Sequence, residues 1–142
     1  MVLILDTDHL TVIQRRTEPS YSRLRDKLAK FGPTAVQTTI ISFEEQVRGW
    51  LAVVSRTRKQ TAQIAAYEHL QALLGFFSEI PVAGFTEAAA VEFHSLASSR
   101  LRVGSMDLKI AAIVLSCDAL LLSGNIKDFQ RVPSSRVEDW IH

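Results

Sequence analysis

Acidic residues in this chain gather where apolar runs stop. Asp6 and Asp8 follow Val2-Leu3-Ile4-Leu5, and Glu44 and Glu45 follow the β-branched stretch from Val36 to Ile41. Asp107 lies in the first turn of an apolar helix, and Asn125 and Asp128 follow the aliphatic run from Ala119 to Ser123. A buried strand has no reason to end on an acid unless the acid lies at the sheet edge, and in open parallel sheets that edge is where ligands bind. Carboxylates converging there repel one another unless a cation intervenes. Oxygen donors suit Mg²⁺ or Mn²⁺ rather than zinc, because His9, His69, His94 and His142 have no metal-ligand spacing. A carboxylate-held Mg²⁺ that keeps several waters suits phosphoryl chemistry, since it polarises phosphate oxygens and activates an attacking water.

The elements that must position these groups alternate between strand and helix. Four consecutive aliphatic residues before Asp6 predict a short strand buried on both faces. A helical segment starts at Leu10 to Gln14 and continues from Ser20 to Phe31, where Gly32-Pro33 ends it. Val36 to Ile41 predicts a second strand. Ser42 is the expected cap of the next helix, with Val47, Trp50, Leu51 and Val54 as its apolar stripe. Thr57 to Phe77 predicts a long helix with Ile64, Tyr67, Leu70, Leu74 and Phe77 on one face.

Ile80 to Phe85 then predicts a short strand, and Thr86 caps an alanine-rich helix running to about Arg100. Ser105 is the expected cap of a helix from Met106 to about Cys117, whose stripe of Ile110, Ile113, Val114 and Cys117 is continued by Asp107. A first-turn acid is also favoured by the helix dipole, but that role alone would turn it towards solvent. Ala119 to Ser123 is the remaining aliphatic strand, and Val132 to Trp140 closes the reading. The order implies one three-layer α/β/α domain over 1–142, with a mainly parallel sheet.

Composition sets the outer bounds. A formal charge of +1 leaves no strong field of one sign, so neither nucleic acid nor membrane is advertised by charge alone. The basic residues from Arg15 to Lys30, and Arg56, Arg58 and Lys59, read as solvated helix faces. The single cysteine, Cys117, excludes an internal disulfide and a cysteine-based zinc site, and its apolar surroundings predict a core position. Asp6 interrupts the N-terminal run before it could serve as a signal peptide, and no apolar stretch reaches the ~20 residues of a membrane span. A cytoplasmic protein is expected.

Taken in order, the motifs resemble a known family. Leu3-Ile4-Leu5-Asp6-Thr7-Asp8-His9-Leu10 is similar to the opening strand and turn of PIN-domain ribonucleases. The segment from Thr39 to Gly49, with Glu45 four residues before the glycine, is similar to their second motif. Gly104 to Ala112 resembles the third, and Leu121 to Phe129 followed by Val137-Glu138-Asp139-Trp140 resembles the fourth and the C-terminal strand. The size agrees with VapC-type toxins of bacterial toxin–antitoxin pairs.

The resemblance implies an endoribonuclease using Mg²⁺, with Mn²⁺ as a substitute. Asp6 and Asp107 would hold the metal, Glu45 would be the second-motif acid, and Asp128 and Asn125 would complete the site. Ser123, where relatives usually have threonine, would hydrogen-bond a neighbouring carboxylate. A neutral Asn125, where some relatives have an acid, leaves one-metal and two-metal catalysis both open. Glu45 or Asp128 would accept the proton of the attacking water, and Lys109 or the early arginines would hold RNA phosphates. A cognate antitoxin and a homodimer are the implied partners.

The apolar stripe of the second helix turns Glu44 towards the core and Glu45 away, whereas the glycine spacing selects Glu45. Helix starts read from sequence shift by two to four residues, so the spacing is followed. Two rival readings use the same acids. Asp6-Thr7-Asp8 also resembles the opening of haloacid-dehalogenase-type phosphatases, although Leu10 stands where that family has threonine or valine. An inactive PIN-like module binding RNA or protein is the other.

Overall fold

A computed structural model describes all of residues 1–142. Its centre is β1 (Leu3–Leu5), the aliphatic run that stops at Asp6, and all three of its residues are buried. Successive residues of a strand point to opposite faces, and here the two faces enter two different cores. Ile4 joins Leu121, Ala89, Leu96, Phe129 and the buried residues of one long apolar helix. Leu3 and Leu5 join Leu10, Leu120 and Leu122, with Phe76, Phe77 and Trp140 packed around them. The sheet is therefore covered on both sides, as the unbroken apolar run requires.

Five parallel strands form the sheet, in the order β3-β2-β1-β4-β5. They are β1, β2 (Val36–Thr39), β3 (Val82–Ala83), β4 (Leu120–Leu122) and β5 (Val137–Glu138). Leu3 aligns with Val36 on one side and with Leu120 on the other. The chain thus builds outwards from β1 in one direction, then returns to its other flank. That reversal opens a crevice at the carboxyl ends of β1 and β4, the position where doubly wound sheets bind ligands.

The helices are α1 (Thr7–Arg15), α2 (Ser20–Leu28), α3 (Ile40–Arg56), α4 (Gln60–Ser78), α5 (Glu87–Ser98), α6 (Ser105–Ser116) and the short α7 (Ile126–Phe129). The three-layer α/β expectation holds, with every strand pair parallel. Thr86 caps α5 as its sequence indicated, accepting the N–H of Ala89 at 3.2 Å.

Several local expectations are corrected. Helix α1 starts at Thr7, because Asp6 itself is the N-cap and accepts the Thr7 N–H at 2.8 Å. Helix α3 begins at Ile40, since Thr39 rather than Ser42 is its cap and accepts the Ser42 N–H at 3.1 Å. Gly104, not Ser105, precedes α6, and no side chain caps it. Cys117 is exposed, not in the core. Helix α6 ends at Ser116, and the left-handed turn at Asp118 (φ 49°) swings the chain into β4 and leaves the thiol outside.

The apolar stripe expected to bury α4 packs through Phe77 at its C-terminal end and is otherwise largely turned outward. Ile64, Tyr67 and Leu74 are 53%, 55% and 67% exposed, whereas Ala66 and Leu73 are buried. The helix packs through its small and C-terminal residues, with Phe77 set edge-on to Phe43 of α3 at 5.0 Å. Leu51 of α3 is likewise exposed. No helix is long and apolar enough to cross a membrane.

Candidate active site

Asp6 stands at the mouth of the crevice with two structural duties. Its main-chain N–H completes the β1–β4 ladder by donating to the Leu122 carbonyl at 2.9 Å, and its carbonyl accepts the Leu10 N–H within α1. Its carboxylate caps α1 through one oxygen and accepts the Ser123 hydroxyl through the other, at 2.7 Å. A carboxylate at a helix N-terminus is stabilised by the exposed N–H groups there. Burial nevertheless dominates and pushes the Asp6 carboxyl above its ordinary value, with the charges of Asp8 and Asp107 adding to the rise.

Glu45 comes to the same rim from α3. Its side chain faces α1 and accepts the Thr7 hydroxyl at 3.2 Å. Glu44 turns outward and pairs with Arg48 at 2.6 Å. The stripe argument that favoured Glu44 fails because the stripe is not the buried face of α3: Leu51 is exposed, while Ile41 and Ser42 are buried. Burial pushes the Glu45 carboxyl up, and Asp6 and Asp107 push it further.

Asp107, in the first turn of α6, completes the group from the third direction. Its carboxyl is also raised, by burial first and by Asp128 second. Asn125 lies between these two acids and donates its amide to both, at 3.2 Å to Asp107 and 3.3 Å to Asp128. Asp128 also lies 3.6 Å from the Arg131 guanidinium. Ser123 links the two halves, since its Oγ accepts the Asn125 N–H at 3.0 Å while donating to Asp6. Asp6, Glu45, Asp107, Asp128, Ser123 and Asn125 are therefore all brought to one rim.

Asp8 is the exception among the early acids. Its carboxylate accepts the Gly124 N–H at 2.7 Å and both the main-chain and ring N–H groups of His9, at 2.7 and 2.8 Å. Those bonds hold its carboxyl below the ordinary value despite partial burial. Lys109 lies over the Phe93 ring, 5.9 Å from its centroid, towards α5. Arg16 and Arg25 flank the Tyr21 ring on the outer surface of α2.

The donor set can be tested against a metal. All the rim groups offer oxygen, except the Asn125 amide nitrogen, and three carboxyls are made harder to ionise by burial and by neighbouring carboxylates. A hard divalent cation relieves that repulsion. No three His, Cys, Asp or Glu side chains are gathered into a ready cage, so the carboxylate cluster expected from the sequence is looser than a closed site. Mg²⁺ is commonly held by one or two carboxylates with waters completing its shell, and the rim fits that sparser arrangement.

Sequence reasoning gave Thr7 no role of its own, although it orients Glu45. The signal was its place directly after Asp6. It also missed an adjoining cleft of about 730 Å³ between α1, α3 and α4, which opens beside Thr7. Trp50 and His69 stack there at 4.2 Å, and Gln14 and Gln46 exchange two amide hydrogen bonds of 2.8 Å.

The sheet order defines a three-layer α/β/α fold that solved VapBC structures share. The structure of VapBC-1 from nontypeable Haemophilus influenzae superposes with a TM-score of 0.77 over 100% of both chains at 19% identity. VapBC2 of Rickettsia felis, bound to a promoter DNA fragment, gives 0.74 over 99% of both at 24% identity. In sequence, the chain is 26% identical to Ribonuclease VapC2 of Rickettsia felis over 145 residues, 99% of this chain and 98% of that protein. It is 28% identical over 81 residues to the tRNA(fMet)-specific endonuclease VapC of Salmonella typhimurium, 54% of this chain and 61% of that protein. No protein-family model matches the chain. Over its whole length, this chain resembles the VapC-type PIN proteins.

Proposed function

We propose that this protein is the toxin of a toxin–antitoxin pair, an Mg²⁺-dependent cytoplasmic endoribonuclease that hydrolyses RNA phosphodiester bonds at the Asp6 rim. The observation that carries the reading is the convergence of Asp6, Glu45 and Asp107, whose carboxyls each rise through burial, with the Asp107 charge adding to the rise at Asp6 and Glu45. The likeness to VapC ribonucleases along the chain supports it. Asp6 and Asp107 are the proposed metal holders. A bound Mg²⁺ would polarise the scissile phosphate and make a water nucleophilic near neutral pH.

The remaining work falls to the chain's own side chains. Glu45 accepts the proton of the attacking water, because its raised carboxyl is closer to the working pH than an ordinary glutamate. Thr7 fixes its orientation. Asp128 is less free for that step, being engaged by Asn125 and Arg131. Ser123 keeps Asp6 aimed at the crevice, and Asn125 holds Asp107 and Asp128 together. An antitoxin would mask this rim, and the uncovered residues Leu51, Ile64, Tyr67 and Leu74 suit a chain that functions with protein partners, its own copy included.

The test is cleavage of fluorescent RNA by the purified protein with Mg²⁺, with EDTA, and in Asp6→Asn and Asp107→Asn. Metal-dependent cleavage lost in both variants is expected. Hydrolysis of a small phosphomonoester would point to a phosphatase instead, and RNA binding without cleavage to an inactive PIN-like module.

A further inference from the structure

Asp8 stands two residues from Asp6 yet faces away from the other acids, and each of its oxygens is already engaged. Oδ2 accepts the Gly124 N–H at 2.7 Å, and Oδ1 accepts the N–H of His9 and its ring Nδ1–H. Gly124 is the middle residue of the turn Ser123-Gly124-Asn125. Its neighbours make the contacts to the acid rim: Ser123 to Asp6, and Asn125 to Asp107 and Asp128. Holding Gly124 therefore sets the aim of both flanking side chains at once.

The approach is close enough to require glycine. A Cβ at position 124 would lie 2.7 Å from Asp8 Oδ2 and 3.1 Å from Cε1 of His142. The far side of the hold is equally fixed. His9 is fully buried, and its Nε2 accepts the Trp140 main-chain N–H at 3.1 Å. An amide can only donate, so Nε2 is the bare nitrogen and Nδ1 carries the proton given to Asp8. The run Trp140–His9–Asp8–Gly124 is thus a directional chain of hydrogen bonds ending on the turn beside the site.

We infer that Asp8 is a positioning residue for the acid site, acting through the Gly124 N–H to fix Ser123 and Asn125 rather than by touching metal or RNA. A charge-assisted hydrogen bond is stronger than a neutral one, and partners one step removed from metal-holding groups typically change metal affinity or activity by about 10–100-fold when lost. The kinetic half of this inference rests on the ribonuclease reading, whereas the structural half does not.

The experiment compares wild type, Asp8→Ala and Asp8→Asn, all ¹⁵N-labelled, with unfolding midpoints recorded for each. In Asp8→Ala the Gly124 amide should exchange with solvent about tenfold faster or more, half-saturation by Mg²⁺ followed by amide shifts should rise about tenfold, and kcat on RNA should fall with KM little changed. Asp8→Asn leaves one acceptor oxygen for three N–H donors, one on Gly124 and two on His9, so exchange and kcat should lie between wild type and Asp8→Ala. A folded Asp8→Ala protein with unchanged Gly124 exchange and unchanged Mg²⁺ half-saturation overturns the inference. So does an Asp8→Asn protein that keeps Gly124 protected yet is as slow as Asp8→Ala, because charge and not the hold would then matter. Should Asp8→Ala fail to fold, Asp8→Asn and Gly124→Ala decide: the alanine at 124 leaves Asp8 intact but forces the turn off it, and wild-type exchange and Mg²⁺ binding there would also overturn the inference. A wild-type protein that cleaves no RNA would sink the ribonuclease reading, while Gly124 exchange would still judge Asp8.

Discussion

The Ser123 hydroxyl donates to Asp6 Oδ2 at 2.7 Å, across the seam where β1 and β4 run side by side. That bond joins the first strand of the chain to the fourth and lowers the Asp6 carboxyl against the burial that raises it. Ser123→Ala should therefore raise the Asp6 carboxyl further and move the acid limb of the RNA-cleavage pH profile to higher pH. Leaving a buried acceptor without its donor costs about 1–3 kcal/mol, so the unfolding midpoint should fall as well. Ser123→Thr keeps the hydroxyl and should restore both. An unmoved acid limb in the alanine variant would count against this role.

Neutralising the rim should separate activity from stability. Asp6, Glu45 and Asp107 all have raised carboxyls, so the folded state binds protons more readily than the unfolded chain. Their favourable contribution is complete below the ordinary carboxylate range, near pH 4, and is lost as pH rises through the raised folded values. At pH 7 the ionised rim thus weakens the fold. Asp107→Asn should raise the midpoint by about 2–4 °C at pH 7, with the gain vanishing near pH 4, while cleavage falls about 100-fold or more. Thermal melts across that range, with cleavage assays alongside, check both signs.

Mg²⁺ should act on the same repulsion without any mutation. Millimolar Mg²⁺ should raise the wild-type midpoint at pH 7 by preferential binding to the folded state. The increase should shrink in Asp6→Asn and as the carboxyls protonate at acid pH. Equal increases in wild type and variant would mean that the ion binds elsewhere.

The adjacent glutamates should behave oppositely. Glu45→Gln removes the proposed proton acceptor and should lower kcat about 100-fold or more, within the usual range for general base catalysis. Glu44→Gln loses only an exposed pair with Arg48, worth about 0–1 kcal/mol, and should leave kcat within a factor of two or so. Steady-state kinetics on one RNA substrate distinguishes them.

Asn125→Asp would exchange a donor for a third charge beside Asp107 and Asp128. Both acids lose an amide partner, so cleavage should require a higher pH or more Mg²⁺ and then gain a steeper dependence on its concentration. A Mg²⁺ titration of cleavage at fixed pH reads this directly.

How much of this was legible in the chain depended on whether the signal was local. The run Leu3-Ile4-Leu5 announced a strand buried on both faces, and Thr86 announced the start of α5, since both properties lie within a few residues. The acids at strand ends were legible too, because parallel topology sends all strand ends to one edge. The start of α3 was misread because Thr39 and Ser42 are equally good caps, and its buried face was misread because its apolar stripe includes the exposed Leu51. The outward stripe of α4 was misread because periodicity identifies an apolar face without saying what covers it. The duty of Asp8 was invisible, since it depends on Gly124, which lies 116 positions away in sequence.

The placement of β1 at the centre of the sheet has a consequence in time. Asp6 is made before its Ser123 partner, which comes 117 residues later, and the Trp140 amide that engages His9 comes 131 residues after His9. Such distant pairings form late in folding. A nascent chain therefore carries Asp6 and Glu45 well before Asp107 and Ser123 are made to complete the rim. For the proposed ribonuclease, this delay keeps the blade sheathed while the message encoding it is still being read.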